Sequence, residues 1–282
     1  MDCNKYGGVG AKEVIVFQTK IMMGAQFGRI LWARDHASDC LAEGQDEMLM
    51  ACLRMGWNDA FRHTSKNEKG VNDEKIGLLT IKGEVSTYQK KEKYKKSKFK
   101  LLRGKIKSVL AAGEFDDFFT DQVLSQKEFL DIFKEYASTQ GPKDAVITSN
   151  FPQLQRCFAG VKKLTGKQAL TFGHIQKLFN IAIKLYLCLY VCREELELKD
   201  DLFVYEIVIN FANADCPIDS IILGELDQIE MCKAGEGAVP DAVYSEYTWS
   251  QLDFDDYVKI QDRIEKECEG KSRLWFDFHN WN

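Results

Sequence analysis

Lys177 and Asp219 are the two side chains of this 282-residue chain whose types and settings best suit covalent chemistry. An amine attacks an electrophilic carbon only when it is unprotonated, so burial must lower its pKa. A fixed carboxylate beside it stabilises the positive charge that builds up as a bond breaks. The same two groups placed close together also pair as ions, and that pairing opposes deprotonation of the amine. Relative solvation therefore decides between a nucleophilic lysine and a static salt bridge.

The setting of both residues is a pair of helix starts within residues 164–223. Thr171 is placed to cap the helix that follows, and Gly173 lets its first turn approach another backbone. His174, Gln176 and Lys177 come next, ahead of an apolar face formed by Leu178, Ile181, Ala182 and Leu185. The free N–H groups of such a helix start can hold a phosphate. In the second element Pro217 fixes the entry, and Asp219 stands at or just before an apolar helix through Ile221, Ile222, Leu223 and Leu226. Each residue also has a plain structural reading. Asp219 is a good helix cap, Lys177 a surface lysine of an amphipathic helix, and His174 a capping or packing residue. Cys188 and Cys192, one turn apart, read as core packing residues with no further metal ligand in register.

The elements that must position these residues read as helices. Apolar spacing predicts helical segments near 21–34, 45–62, 98–112, 125–138, 152–163, 171–192, 201–212, 218–232 and 253–268. Ser125 followed by Glu128 has the pattern of a capping box. Residues 14–17 read as a short strand, and residues 76–88 alternate like a strand or hairpin. Only four prolines interrupt the chain. The expected fold is one mainly α domain over 1–282, with lobes 1–150 and 151–282 and a candidate catalytic core at 164–223. The aromatic tail Leu274–Trp281 is expected to dock across the fold or to make an oligomer contact.

Composition excludes several classes. No stretch approaches twenty apolar residues, and the N-terminal residues lack the order of a signal peptide, so a soluble cytoplasmic protein without a membrane partner is expected. Nine cysteines, odd in number and without a CxxC pair, disfavour a disulfide framework. No HExxH, GxSxG or GxxxxGK[ST] is present, and neither a metal nor another cofactor is expected. The run Gly7–Lys12 resembles a phosphate loop only superficially, because no strand precedes it. The net charge of −5 conceals a cationic strip at residues 89–107. There Lys90, Lys91, Lys93, Lys95, Lys96, Lys98, Lys100, Arg103, Lys105 and Lys107 face the single acid Glu92. The strip is either a solvated charge run or a phosphate-tracking arm in which Tyr94 and Phe99 stack on bases.

The order Gly173–x–x–Gln176–Lys177, an apolar helix and then Cys216–Pro217–Ile218–Asp219 resembles the core of helix-hairpin-helix DNA glycosylases, nearest the archaeal 8-oxoguanine glycosylase branch. The resemblance spans residues 164–223. Two departures stand out: the family's Leu-Pro-Gly-x-Gly hairpin is absent, and the connection from Lys177 to Asp219 is longer than in compact members. The resemblance implies that Lys177 attacks the anomeric carbon of a deoxyribose and that Asp219 supports that attack. It further implies a double-stranded DNA partner with the target base flipped out and held between flat groups. Candidate substrate contacts are Gly173, His174, Gln176 and Trp57, the last from a block at 54–63 that also reads as a partly buried helix. The base, the origin of the DNA (cellular repair or antiviral defence), lyase activity and the oligomeric state are left open. A non-catalytic helical module that binds nucleic acid or protein is the competing expectation.

Replacing Lys90, Lys91, Lys95, Lys96, Lys98, Lys100 and Arg103 with glutamine should weaken DNA binding for all sequences alike. The salt slope should fall by about one for each phosphate that is no longer neutralised. Titration of binding against salt measures this, and an unchanged slope refutes the arm.

Overall fold

In the computed structural model the described residues are 27–61, 115, 119, 124–140, 143–158, 170–194, 196–235 and 242–280. Among them the α-helices in chain order are α1 (Phe27–His36), α2 (Leu41–Phe61), α3 (Gln126–Ser138), α4 (Asp144–Cys157) and α5 (Phe172–Val191). They continue with α6 (Tyr205–Ile209), α7 (Ser220–Ala234), α8 (Phe254–Glu267) and α9 (Arg273–Asn280). Short 3-10 turns at Asp200–Leu202, Asn210–Asn213, Tyr244–Glu246 and Trp249–Gln251 join them, and no strand occurs among the described residues. The fold is mainly α. The expected strands at 14–17 and 76–88, the helix at 98–112 and the cationic strip lie outside the described residues.

Local chemistry accounts for the helix starts. Ser125 and Glu128 form a reciprocal capping box at α3, with Glu128 Oε2 accepting from the Ser125 N–H at 2.7 Å and Ser125 Oγ accepting from the Glu128 N–H at 3.2 Å. Thr171 caps α5, Asp219 caps α7 and Asp253 caps α8. Helix α5 is buried on every side, as a strongly apolar helix must be when other helices surround it. Helix α2 runs along it, and α1 packs on α2. Residues from Ile30 through Phe129, Phe179 and Ile218 to Phe278 join one contiguous apolar core.

Two segments differ from the sequence expectation. Helix α4 begins at Asp144 and passes through Pro152, instead of starting there. An interior proline costs about 3 kcal/mol, and burial of Val146, Ile147 and Leu154 on one face offsets it. The expected helix 201–212 is broken into two 3-10 turns and the short α6. The β-branched run there favours helix weakly, and the buried Asn210 amide instead donates to the carbonyls of Ala137 at 2.9 Å and Thr139 at 2.6 Å. The aromatic tail forms α9 and docks by burying Leu274, Phe276 and Phe278.

Helices α2 and α5 approach closely at Gly56, where a Cβ would lie 2.4 Å from the Leu178 carbonyl oxygen. Backbone cannot yield as a side chain can, so Gly56→Ala should destabilise the protein by about 1–3 kcal/mol. Gly224→Ala, in α7 with nothing within 4 Å of its Cβ position, should gain up to about 1 kcal/mol. Urea unfolding of the pair checks both signs.

Candidate functional site

The first turns of α5 and α7 converge with the C-terminal turn of α2, and the meeting point is Lys177. Its ammonium lies 3.1 Å from Asp59 Oδ2 and 3.3 Å from Asp219 Oδ2. It also stands 4.7 Å from the centre of the Trp249 ring. The lysine side chain is only 4% exposed, whereas Asp59 keeps 20% and Asp219 15%. Any molecule arriving from solvent therefore meets the carboxylates before the amine.

Asp219 serves two structures at once. Its Oδ1 accepts from the backbone N–H groups of Ile221 at 2.9 Å and Ile222 at 3.2 Å, capping α7, while Oδ2 faces Lys177. The neighbouring Gln176 fixes the register between the two helix starts. Its amide donates to the Ile218 carbonyl at 2.9 Å and accepts from the Ile218 N–H at 3.1 Å.

Burial acts to lower the pKa of Lys177, but the charges and hydrogen bonds of Asp59 and Asp219 outweigh it and hold the amine above its ordinary value. Lys177 is thus an ammonium at neutral pH. A resting nucleophilic amine, as the glycosylase resemblance implied, is not what this geometry provides.

Other expected site residues hold the cluster in place. Gly173 does allow a close backbone approach, since a Cβ would sit 2.2 Å from the Trp249 carbonyl oxygen. What approaches, however, is the turn Trp249–Gln251, which covers the α5 start where a phosphate was expected to bind. Thr171 Oγ1 donates to the Ser250 carbonyl at 2.5 Å. With that proton committed, the 2.6 Å contact to His174 Nδ1 makes Nδ1–H the donor and fixes a neutral tautomer. The ring packs edge-on to Trp249, with centroids 5.5 Å apart. Burial, aided by the Lys177 charge, pushes the His174 pKa down to about 4. Trp57 is 3% exposed and stacks on Phe158 at 5.1 Å, so it belongs to the core and not to a substrate pocket. Gln176, with no exposed surface, likewise positions backbone instead of meeting a ligand. Cys188 and Cys192 are buried packing residues.

Sequence reasoning missed Asp59. It lies far upstream in an ordinary helical stretch, and no local pattern marks it as a partner of Lys177. No local pattern marks Trp249 either; the fold alone sets its ring over the ammonium.

Comparison of the chain with protein-family models, curated proteins and solved structures finds no match. Among the described residues no helix is long and apolar enough to cross a membrane. Nor does any group of three or more His, Cys, Asp or Glu among them have metal-binding geometry. The site is defined by its own chemistry: a buried ammonium clamped by two partly exposed carboxylates under an indole, within a mainly helical fold.

The lowered pKa of His174 means that the unfolded chain binds a proton that the folded one refuses. Its contribution is complete above about pH 6.5 and is lost as pH falls toward 4. Relative to His174→Gln, the wild type should lose about 3 kcal/mol of stability between pH 7 and pH 4. Urea unfolding of both proteins across that range measures the difference.

Proposed function

We propose that the protein is a DNA glycosylase that cleaves the N-glycosidic bond of a damaged or modified nucleotide, with Asp219 and Asp59 at the reaction centre. The observation that carries this reading is the joint placement of both carboxylates against one ammonium at the mouth of two helix starts. Breaking an N-glycosidic bond builds positive charge on the sugar, and fixed carboxylates stabilise that charge without having to reorganise. The cluster of two carboxylates and one ammonium retains one net negative charge, the sign such a transition state requires.

In this reading Lys177 is a positioning residue. Held as an ammonium, it aligns the two carboxylates and does not form a bond to the sugar, so the product is an abasic site and no lysine imine accumulates. Trp249, partly buried beside Lys177, is the flat group against which an extruded base stacks. The resemblance of residues 164–223 to the helix-hairpin-helix core supports the same chemistry, with the role of the lysine changed by the second carboxylate. The cationic strip at 89–107 supplies the phosphate grip.

A second reading has an observation of its own. Both oxygens of the Asp219 carboxylate are already engaged inside the protein, by α7 backbone and by Lys177. The cluster then serves as a structural lock in a non-catalytic binding module.

Incubation with duplexes bearing altered bases, followed by alkali, separates the two. The glycosylase reading expects alkali-dependent strand breaks, reduced at least about a hundredfold in Asp219→Asn. It also expects no borohydride-trapped complex through Lys177. Circular dichroism confirms that the variant is folded. Absence of breaks across the panel, heavily modified viral DNA included, leaves the binding module.

A further inference from the structure

A cavity of about 670 Å³ opens where the start of α4, the Asn210–Asn213 turn, α8 and the start of α9 meet. Its wall is densely charged, and most of the cations there are already committed. Arg273 pairs with Asp215 at 2.5 Å and Glu265 at 3.3 Å, and Lys259 pairs with Asp256 at 3.1 Å. Lys143 differs. It is 2% exposed, and among the described residues its Nζ has no hydrogen-bond partner. Its Nζ lies 6.0 Å from the centre of the Tyr136 ring. Asp144, next in the chain and 8% exposed, has Oδ1 without a hydrogen-bond partner as well. Buried polar groups are nearly always satisfied, and two unsatisfied neighbours on one cavity wall point to a missing ligand. A buried amine without a partner also favours its neutral form, because the ammonium is costly to desolvate.

We propose that this cavity binds a small hydroxylated aldehyde or ketone as a reversible imine on Lys143 Nζ, with Asp144 carrying the proton between nitrogen and oxygen. The site is separate from the Lys177 cluster and does not depend on the glycosylase reading. The Lys143 lone pair forms the bond to the carbonyl carbon, and the C=O π pair moves to oxygen. Asp144 delivers a proton to that oxygen and takes one from nitrogen, which gives a carbinolamine; it then delivers this proton to the hydroxyl, which leaves as water while nitrogen closes the C=N bond. Asp144 then recovers a proton from nitrogen. Both amine protons end in the water, Asp144 is unchanged, and no oxidant or reductant is needed.

The rest of the wall fits hydroxyl groups. Asn213, Asp255 and Asp262 offer acceptors, and Phe254 and Val258 an apolar side. The excess of carboxylates disfavours a phosphorylated ligand. Local electrostatics support the geometry. Burial, joined by the Arg273 charge, brings Lys143 down to about 8 against the opposing pull of Asp215 and Asp144. Burial, with Asp215 and Asp262, raises Asp144 to about 7 against Arg273 and Lys143. Near neutral pH one group can offer a lone pair while the other offers a proton.

The test is reductive labelling of the full chain with glyceraldehyde and cyanoborohydride at pH 7, with each lysine followed by peptide mass mapping. Lys143 should be labelled at least about tenfold faster than the exposed Lys259. Lys177 and Lys184, held by carboxylates, should lag behind Lys259. Glyceraldehyde 3-phosphate should label Lys143 more slowly than glyceraldehyde does. In Asp144→Asn, labelling at Lys143 alone should slow by about tenfold. Labelling of Lys143 no faster than Lys259 in the folded wild type overturns the site. An unchanged rate in Asp144→Asn overturns the proton carrier.

Discussion

A buried ammonium must be met by opposite charge inside the fold, and the positions of α2, α5 and α7 follow from how this chain meets that demand at Lys177. One carboxylate comes from the last turn of α2 and the other from the residue that caps α7. Removing both would strand the Lys177 ammonium in a poorly solvated place, which typically costs several kcal/mol. The close approaches nearby serve the same meeting. Gly56 lets α2 approach the α5 backbone, and Gly173 lets the turn at Trp249–Gln251 close over the α5 start. Gln176 then ties that start to the backbone of Ile218, next to the capping aspartate.

Helix α5 continues the pattern along its length. Gln176, Asn180 and Lys184 recur every fourth residue and so share one face. Each finds a partner from a different part of the chain. Asn180 accepts from the Tyr136 hydroxyl at 2.6 Å and donates to the Tyr257 hydroxyl at 2.8 Å. Tyr257 in turn donates to Asp215 at 3.0 Å, which Arg273 holds. Lys184 pairs with Asp277 of α9, whose carboxyl is pushed up to about 6, by burial first and against the pull of Lys184. An apolar helix of this length could slide or rotate among similar packings. A polar row that is satisfied in one register penalises the others.

The same row links the two places where chemistry is proposed. Asp215 lines the cavity beside Lys143, and its hydrogen-bonded neighbours lead through Asn180 toward the helix start that carries Lys177. The two lysines nonetheless have opposite characters. Lys177 has two carboxylates within ion-pair distance and is held protonated, whereas Lys143 forms no ion pair among the described residues and is eased toward the free amine. Near-equal burial gives opposite pKa shifts because the immediate partners differ.

Features set by residues a few positions apart were legible in the sequence. These include the mainly helical class, the Ser125–Glu128 capping box, the caps at Thr171 and Asp219 and the bounds of α5, because apolar period and cap chemistry act within one or two turns. Through-space relations were not legible. The pairing of Lys177 with Asp59, its protonation, the burial of Trp57 and the covering of the Gly173 turn all depend on which distant surfaces meet. Hydration and Coulomb energies depend on distance in space, which the order of residues along a chain does not specify. The tertiary structure alone therefore decided that the candidate nucleophile is an ammonium between two carboxylates.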